Sequence, residues 1–187
     1  MQDFDHNGEM ELFIGNGHVV TAEHHPDPRM KAQLFSYAGE KTWRDVGGLA
    51  GSYFQKLRMA RGVATADYDK DGDLDVLILN LEDKACLLRN DSHSGQWLNL
   101  SFIGYQSNRY GVGVRAQVTA DGKTYIQEIC GGTSFAASHE PILSFGLGRF
   151  TGELDLKVLW PSGTVQEFKH VSAGQHLVIS ERDSARK

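Results

Sequence analysis

Nine of the 24 acidic residues fall in two nine-residue stretches: Asp3, Asp5, Glu9 and Glu11 in 3–11, and Asp67, Asp69, Asp71, Asp73 and Asp75 in 67–75. Carboxylates packed this tightly repel one another unless a cation sits among them. The spacing Asp67-x-Asp69-x-Asp71-Gly72-x-x-Asp75 fits a hard divalent ion. Calcium takes about six to eight oxygens, alternate loop positions supply them, and the glycine makes the sharp bend. Side-chain oxygens of Asp67, Asp69, Asp71 and Asp75, with the Asp73 carbonyl, are the expected set. Asp3, Asp5, Asn7, Glu9 and Glu11 are the corresponding candidates in the first loop, where Asn7 and Glu11 stand in for two aspartates. An EF-hand also opens in this way, but it needs a bidentate Glu at position twelve and flanking helices. Position twelve here is Ile78, inside the extended apolar run 76–79, so a helical calcium sensor is excluded. A solvated acidic turn without an ion stays open as the alternative.

Other residues carry weaker chemistry. Gly132-Thr133-Ser134-Phe135-Ala136, with His139 nearby, superficially resembles a serine-protease nucleophile segment. A nucleophile needs a base and an orienting acid, and neither an Asp-Thr-Gly nor a His-Gly-Thr companion is present. A hydrolase using Ser134 is therefore a remote alternative to a glycine-rich turn. His24 and His25 are adjacent, and neighbours on an extended chain point to opposite sides, so a solvated loop is favoured over a transition-metal site. Gly146-Leu147-Gly148 alone is no phosphate cradle. Trp97, Phe102, Phe145 and Trp160 lie in or beside alternating strands and are assigned to the core rather than to a ligand platform.

The elements that must position the loops are strands. Short runs rich in Val, Ile, Leu, Phe and Tyr alternate with Gly, Asp and Asn, and no long amphipathic helix is evident. Val114, Ala116 and Val118 share a face, and Asp121-Gly122 turns the chain into 123–130. Leu154, Leu156, Val158 and Trp160 form a second apolar face, closed by Pro161-Ser162-Gly163 before 164–169. The acidic loops and their following strands repeat at an offset of 67 − 3 = 64 residues, which indicates propeller blades or stacked β units. The polar run 90–95 marks a boundary. The fold class read from this is all-β: partial propeller-type blades over 1–95, about one and a half of them, then an antiparallel β-sandwich over 96–182 and a polar tail at 183–187.

Composition narrows the partners. A net charge of −5 and a pI near 5.9 argue against nucleic acid, and no apolar run is long enough to span a membrane. Met1-Gln2-Asp3-Phe4-Asp5 is acidic, so no secretion signal is expected in this sequence; a secreted protein's address would lie outside it. Cys86 and Cys130 fit neither a disulfide scaffold nor a zinc site. One bridge, or two free buried thiols, are the remaining readings.

Arg61-Gly62-Val63-Ala64-Thr65-Ala66-Asp67, followed by the acidic loop and Leu87-Leu88-Arg89-Asn90, resembles the FG-GAP or VCBS repeat of integrin-like β-propellers. The first loop running into Gly15-Asn16-Gly17-His18-Val19 resembles the preceding blade. From Trp97 onward the chain is similar to the ASPIC/UnbV domain, on the strength of 107–113, 131–134, 145–148 and 160–163. The resemblance implies calcium binding, an extracellular or cell-surface location, and a non-enzymatic adhesive or scaffolding role toward an extracellular protein, a glycan or further copies of the chain.

A closed propeller needs at least about four blades, more than this length supplies beside a second domain. The chain is therefore expected to be a fragment, or to complete its sheets in another way. Residues 62–66 lead into the second loop but only Met1 and Gln2 precede the first, so the first unit should expose a strand edge. Strand addition there would give a homo-oligomer or filament. Asn90-Asp-Ser and Asn99-Leu-Ser are glycosylation sequons if the source glycosylates, with Asn90 favoured because Asn99 lies in a strand.

Overall fold

A computed structural model describes residues 1–19, 27–92 and 95–182. His24 and His25, part of the 90–95 boundary and the 183–187 tail lie outside these residues. The described residues form thirteen strands and one short 3-10 helix, Ser52–Gln55, so the all-β expectation holds.

The two acidic loops each feed a three-stranded sheet. β1 (Leu12–Ile14), β2 (Gln33–Tyr37) and β3 (Trp43–Asp45) are antiparallel in that order. β4 (Ala60–Ala66), β5 (Asp75–Asn80) and β6 (Cys86–Leu88) make the second sheet, also in chain order. β5 therefore lies between two strands, whereas β1 is at the edge of its sheet. Gln2 flanks the start of β1, exchanging backbone hydrogen bonds of 3.1 and 2.7 Å with Glu11. The two sheets share one core of Ala32, Tyr53, Phe54, Ala60, Val76 and Ile78, against which Phe4, Phe13, Leu34 and Leu88 pack.

The remaining strands are β7 (Gln96–Ile103), β8 (Arg115–Ala120), β9 (Lys123–Glu128), β10 (Ile142–Gly148), β11 (Glu153–Leu159), β12 (Val165–Ser172) and β13 (Gln175–Ser180). They form two sheets, β12-β11-β8-β9 and β10-β7-β13, which enclose a second core. Both hairpins read from the sequence are present. Asp121 and Gly122 take φ of 47° and 71° between β8 and β9, as a tight two-residue hairpin turn requires. Leu154, Leu156, Val158 and Trp160 are all buried, and the Trp160 indole N–H donates to Gln166 Oε1 at 2.6 Å. The sandwich is not wholly antiparallel. After β12 the chain crosses to the other sheet within two residues and runs beside β7 in the same direction. Cys86 is half-buried and Cys130 exposed, both as free thiols, so the expectation of two buried thiols fails for Cys130.

Glu181 locks the far end of the sandwich. Its Oε2 accepts from the backbone N–H groups of Tyr105, Gln106 and Ser107 at 2.6 to 2.9 Å, and its Oε1 from the hydroxyls of Ser107 and Ser162. Burial alone would push this carboxyl up, but the donors from Ser162, Ser107 and Tyr105 outweigh it and hold it down at about 2. A depressed folded-state value contributes stability above the ordinary value of 4.5, lost as pH falls toward 2. Glu181→Gln should cost about 1–3 kcal/mol at pH 7, measured by denaturant unfolding. The difference from the parent chain should narrow as pH falls between those values.

Candidate metal centre

The two loops share their backbone path as well as their residue types. His6 and Lys70, fourth in each loop, both lie in the left-handed region (φ 56° and 66°), as do Gly8 and Gly72 at the sixth position (φ 90° and 102°). The seventh residue's N–H donates to the fifth side chain in both: Glu9 to Asn7 at 2.7 Å, Asp73 to Asp71 at 3.0 Å. The second residue's N–H donates to the ninth: Phe4 to Glu11 and Tyr68 to Asp75, each at 2.9 Å. These bonds fold each loop back on itself and turn its carboxylates inward.

Inside each ring three carboxylates converge. Oxygens of Asp3, Asp5 and Glu11 lie within 4.8 Å of one another, and so do those of Asp67, Asp69 and Asp71. Asp3, Glu11 and Asp67 are buried at 3%, 4% and 2% exposure. Glu11 Oε1 and Asp67 Oδ1 are buried with no hydrogen-bond partner among the described residues, an arrangement that is costly unless something fills it. Burial raises the Asp3 carboxyl to about 6, against the lowering pull of the Gly8 N–H, and neighbouring Asp5 adds to the rise. Glu11 is raised to about 7, chiefly by burial, and Asp67 is also raised by burial.

Four further sequence candidates lie outside these two groups of three carboxylates. Asn7 Oδ1 holds the Glu9 N–H, and Glu9 itself is exposed. Asp75 uses one oxygen on Tyr68 N and the other on Asn90 N, at 2.9 and 2.8 Å. The Asp73 side chain points across to the other loop, where its Oδ1 lies 3.2 Å from His6 Nδ1. His6 is fully buried and held toward its neutral form by that burial, with Asp73 pulling the other way.

The loops are gripped together by residues that sequence reasoning assigned elsewhere or missed. Trp97, expected in the core, instead stacks on His6 with ring centroids 6.2 Å apart and lies where a Cβ on Gly72 would stand. Asn99 donates from Nδ2 to Gly72 O at 3.0 Å, and Gly148 N–H donates to His6 O at 2.7 Å. Asn90 Nδ2 reaches both loops, at Phe4 O (2.7 Å) and Leu74 O (3.3 Å). Both sequon nitrogens are thus engaged in hydrogen bonds. The Glu140 carboxylate takes the Asp67 N–H at 3.1 Å. A signal for this clamp was present only in part: two asparagines beside strands read as sequons just as well.

Ser134 bridges to Ala137 in a tight turn, and His139 Nδ1 accepts the Thr65 backbone N–H at 3.1 Å. No hydrogen bond joins Ser134 to His139 among the described residues. The clamp predicts that Asn90→Ala will destabilise the chain by about 1–3 kcal/mol. Amide exchange should accelerate in 3–11 and 67–75 together; acceleration confined to one loop would contradict a shared clasp.

Comparison with known proteins matches residues 3–78 to the FG-GAP-like repeat and residues 104–186 to the ASPIC and UnbV domain. The chain is similar to cartilage acidic protein 1 of Mus musculus (28% identical over 180 residues, 86% of this chain and 25% of that protein). It is likewise similar to cartilage acidic protein 1 of Homo sapiens (26% over 198 residues, 96% and 27%) and of Xenopus tropicalis (26% over 181, 87% and 25%). The chain spans about a quarter of the length of these relatives.

Proposed function

We propose that this chain, which joins FG-GAP-like repeats to an ASPIC and UnbV domain, is a non-enzymatic extracellular module that binds calcium in both acidic loops and uses the stiffened surface to hold an extracellular protein or glycan. One observation carries the reading: each loop buries a carboxylate oxygen without a partner among the described residues, Glu11 Oε1 in one and Asp67 Oδ1 in the other, beside two further inward-facing carboxylates. Donor chemistry fits a hard cation, since the converging atoms are all carboxylate oxygens. Asp3, Asp5 and Glu11 would hold one ion, and Asp67, Asp69 and Asp71 the other. Asn7, Asp75 and the backbone of Glu9 and Asp73 would shape the rings or complete them. The ion supplies the positive charge that relieves repulsion within each ring. The chain's own residues keep the rings closed and press them against β7. On this reading the chain divides near residue 95 into repeat region and sandwich.

Isothermal titration should detect two calcium equivalents. Asp5→Asn should remove one and Asp69→Asn the other. Calcium at about a hundredfold over its Kd should stabilise the fold by about 2.7 kcal/mol per site, read as a rise in Tm. Asp71→Ala should lower Tm and be partly rescued by high calcium. Absence of binding heat together with an unchanged melting curve would overturn the assignment.

Protons compete for the same oxygens. In metal-free protein Asp3 and Glu11 titrate above the ordinary carboxylate range, at about 6 and about 7, so the native state holds protons that the unfolded chain releases. Stability of the metal-free chain should fall as pH rises from about 4 to 7. Calcium should reverse that slope, with weaker binding at pH 5.5 than at pH 7.5. A melting temperature in excess calcium that also falls over this range would count against ion binding at the first loop.

A further inference from the structure

The first acidic loop differs from the second at its fifth position, where Asn7 precedes Gly8 and Asp71 precedes Gly72. An asparagine side-chain amide can be attacked by the backbone nitrogen of the next residue, which closes a cyclic imide and expels ammonia. Glycine as that next residue leaves the approach open, because it has no side chain to obstruct it.

Three features around Asn7 and Gly8 favour this ring closure. Gly8 N–H donates to Asp3 Oδ2 at 2.9 Å, so the attacking nitrogen already has an acceptor for its proton within general-base reach. Glu9 N–H donates to Asn7 Oδ1 at 2.7 Å, the oxygen on which negative charge gathers as the amide carbon becomes tetrahedral. Asn7 is exposed, so ammonia can leave and water can enter. The chain's other Asn-Gly pair, Asn16 and Gly17, has neither of these hydrogen bonds among the described residues. Asn16 is half-buried, and its Nδ2, the atom that would have to leave, is held by Lys31 O and Gln33 Oε1, each at 3.0 Å. In the second loop the same donors surround Asp71, whose carboxylate has no ammonia to lose.

We propose that Asn7 is a site of spontaneous deamidation promoted by the folded first loop. Gly8 N bonds to Asn7 Cγ while its proton passes to Asp3 Oδ2. The Cγ–Nδ2 bond then breaks, and Nδ2 takes up that proton and departs as ammonia. Water opens the imide in the second step. Hydrolysis at Cγ gives aspartate at position 7, and the first loop acquires the Asp-x-Asp-x-Asp-Gly order of the second. Hydrolysis at the backbone carbonyl gives isoaspartate, which lengthens the main chain by a methylene between residues 7 and 8. Either product adds a negative charge beside Asp3 and Asp5. The effect on calcium, unlike the modification itself, rests on ion binding in this loop: aspartate strengthens the ring, whereas isoaspartate draws the Gly8 N–H away from Asp3 and weakens it.

Incubation of the full metal-free chain at about 37 °C and neutral pH, followed by tandem mass spectrometry, tests the site. Asn7 and Asn16 fall in the same tryptic peptide, which ends at Arg29. Asn7 should convert at least about tenfold faster than Asn16, and at least about threefold faster than Asn7 in the same chain unfolded in guanidinium chloride. Asp3→Asn, shown to be folded by circular dichroism, should slow Asn7 by about tenfold or more; if that variant does not fold, the ratio of native to unfolded rates in the parent chain decides. A native rate equal to or below the unfolded rate would overturn the proposal, as would equal conversion at the two asparagines or an unchanged rate in folded Asp3→Asn. Excess calcium should slow the conversion, because the ion takes up the Asp3 oxygens. Fast native conversion that calcium leaves unchanged would sustain the modification and count against an ion at Asp3, so the two readings fail separately.

Discussion

Burying carboxylates beside one another is the constraint around which this molecule is organised. Asp3, Glu11 and Asp67 are almost completely removed from water, where an unpaired charge is expensive. Two features make that burial tolerable. Backbone N–H groups of the loops turn onto the carboxylates, and the inward oxygens converge on a point where one cation could meet three of them. The loop conformation, the left-handed residues and the bond between the second and ninth positions all serve this convergence.

The two rings do not stand alone. His6 of one faces Asp73 of the other, and Trp97 covers both His6 and Gly72. Asn90 reaches into both loops, while Asn99 and Glu140 tie the second to the sandwich. Direct contacts therefore join the two rings to each other and to the strands β7 and β10. The sandwich is the foundation against which the acidic loops are pressed.

Much of this was legible in the residues. Alternation together with the Asp121-Gly122 and Pro161-Ser162-Gly163 turns gave the two hairpins, which the structure places at 115–128 and 153–172, because strands with one buried face must alternate. The spacing of Asp67, Asp69 and Asp71 gave a ring, because short acidic side chains two residues apart turn inward only in a tightly bent loop. The 64-residue offset proved to extend to backbone angles and hydrogen bonds. Other features depended on distance in the chain and were not legible. Nothing local to Trp97 tells a core tryptophan from one stacked on a residue 91 positions earlier, 97 − 6 in the numbering. Asn90 and Asn99 read as sequons because a sequon is a local pattern, whereas their partners Phe4 and Gly72 come from loops brought near only by the fold. The parallel entry of β13 was hidden for the same reason, since its partner strand lies 77 residues upstream at Leu98–Gln175.

That parallel pairing has a consequence for the order in which the molecule is made. β7 lies in the middle of its sheet, with β10 on one side and β13 on the other. Both flanks arrive well after β7 leaves the ribosome, and β13 is the later of them. Contacts of such long sequence separation form slowly. The repeat sheets, whose pairings are more local, can assemble while β7 is still unsupported. The strand β13 that flanks β7, which carries Trp97 and Asn99, is thus made long after the acidic loops it helps to support.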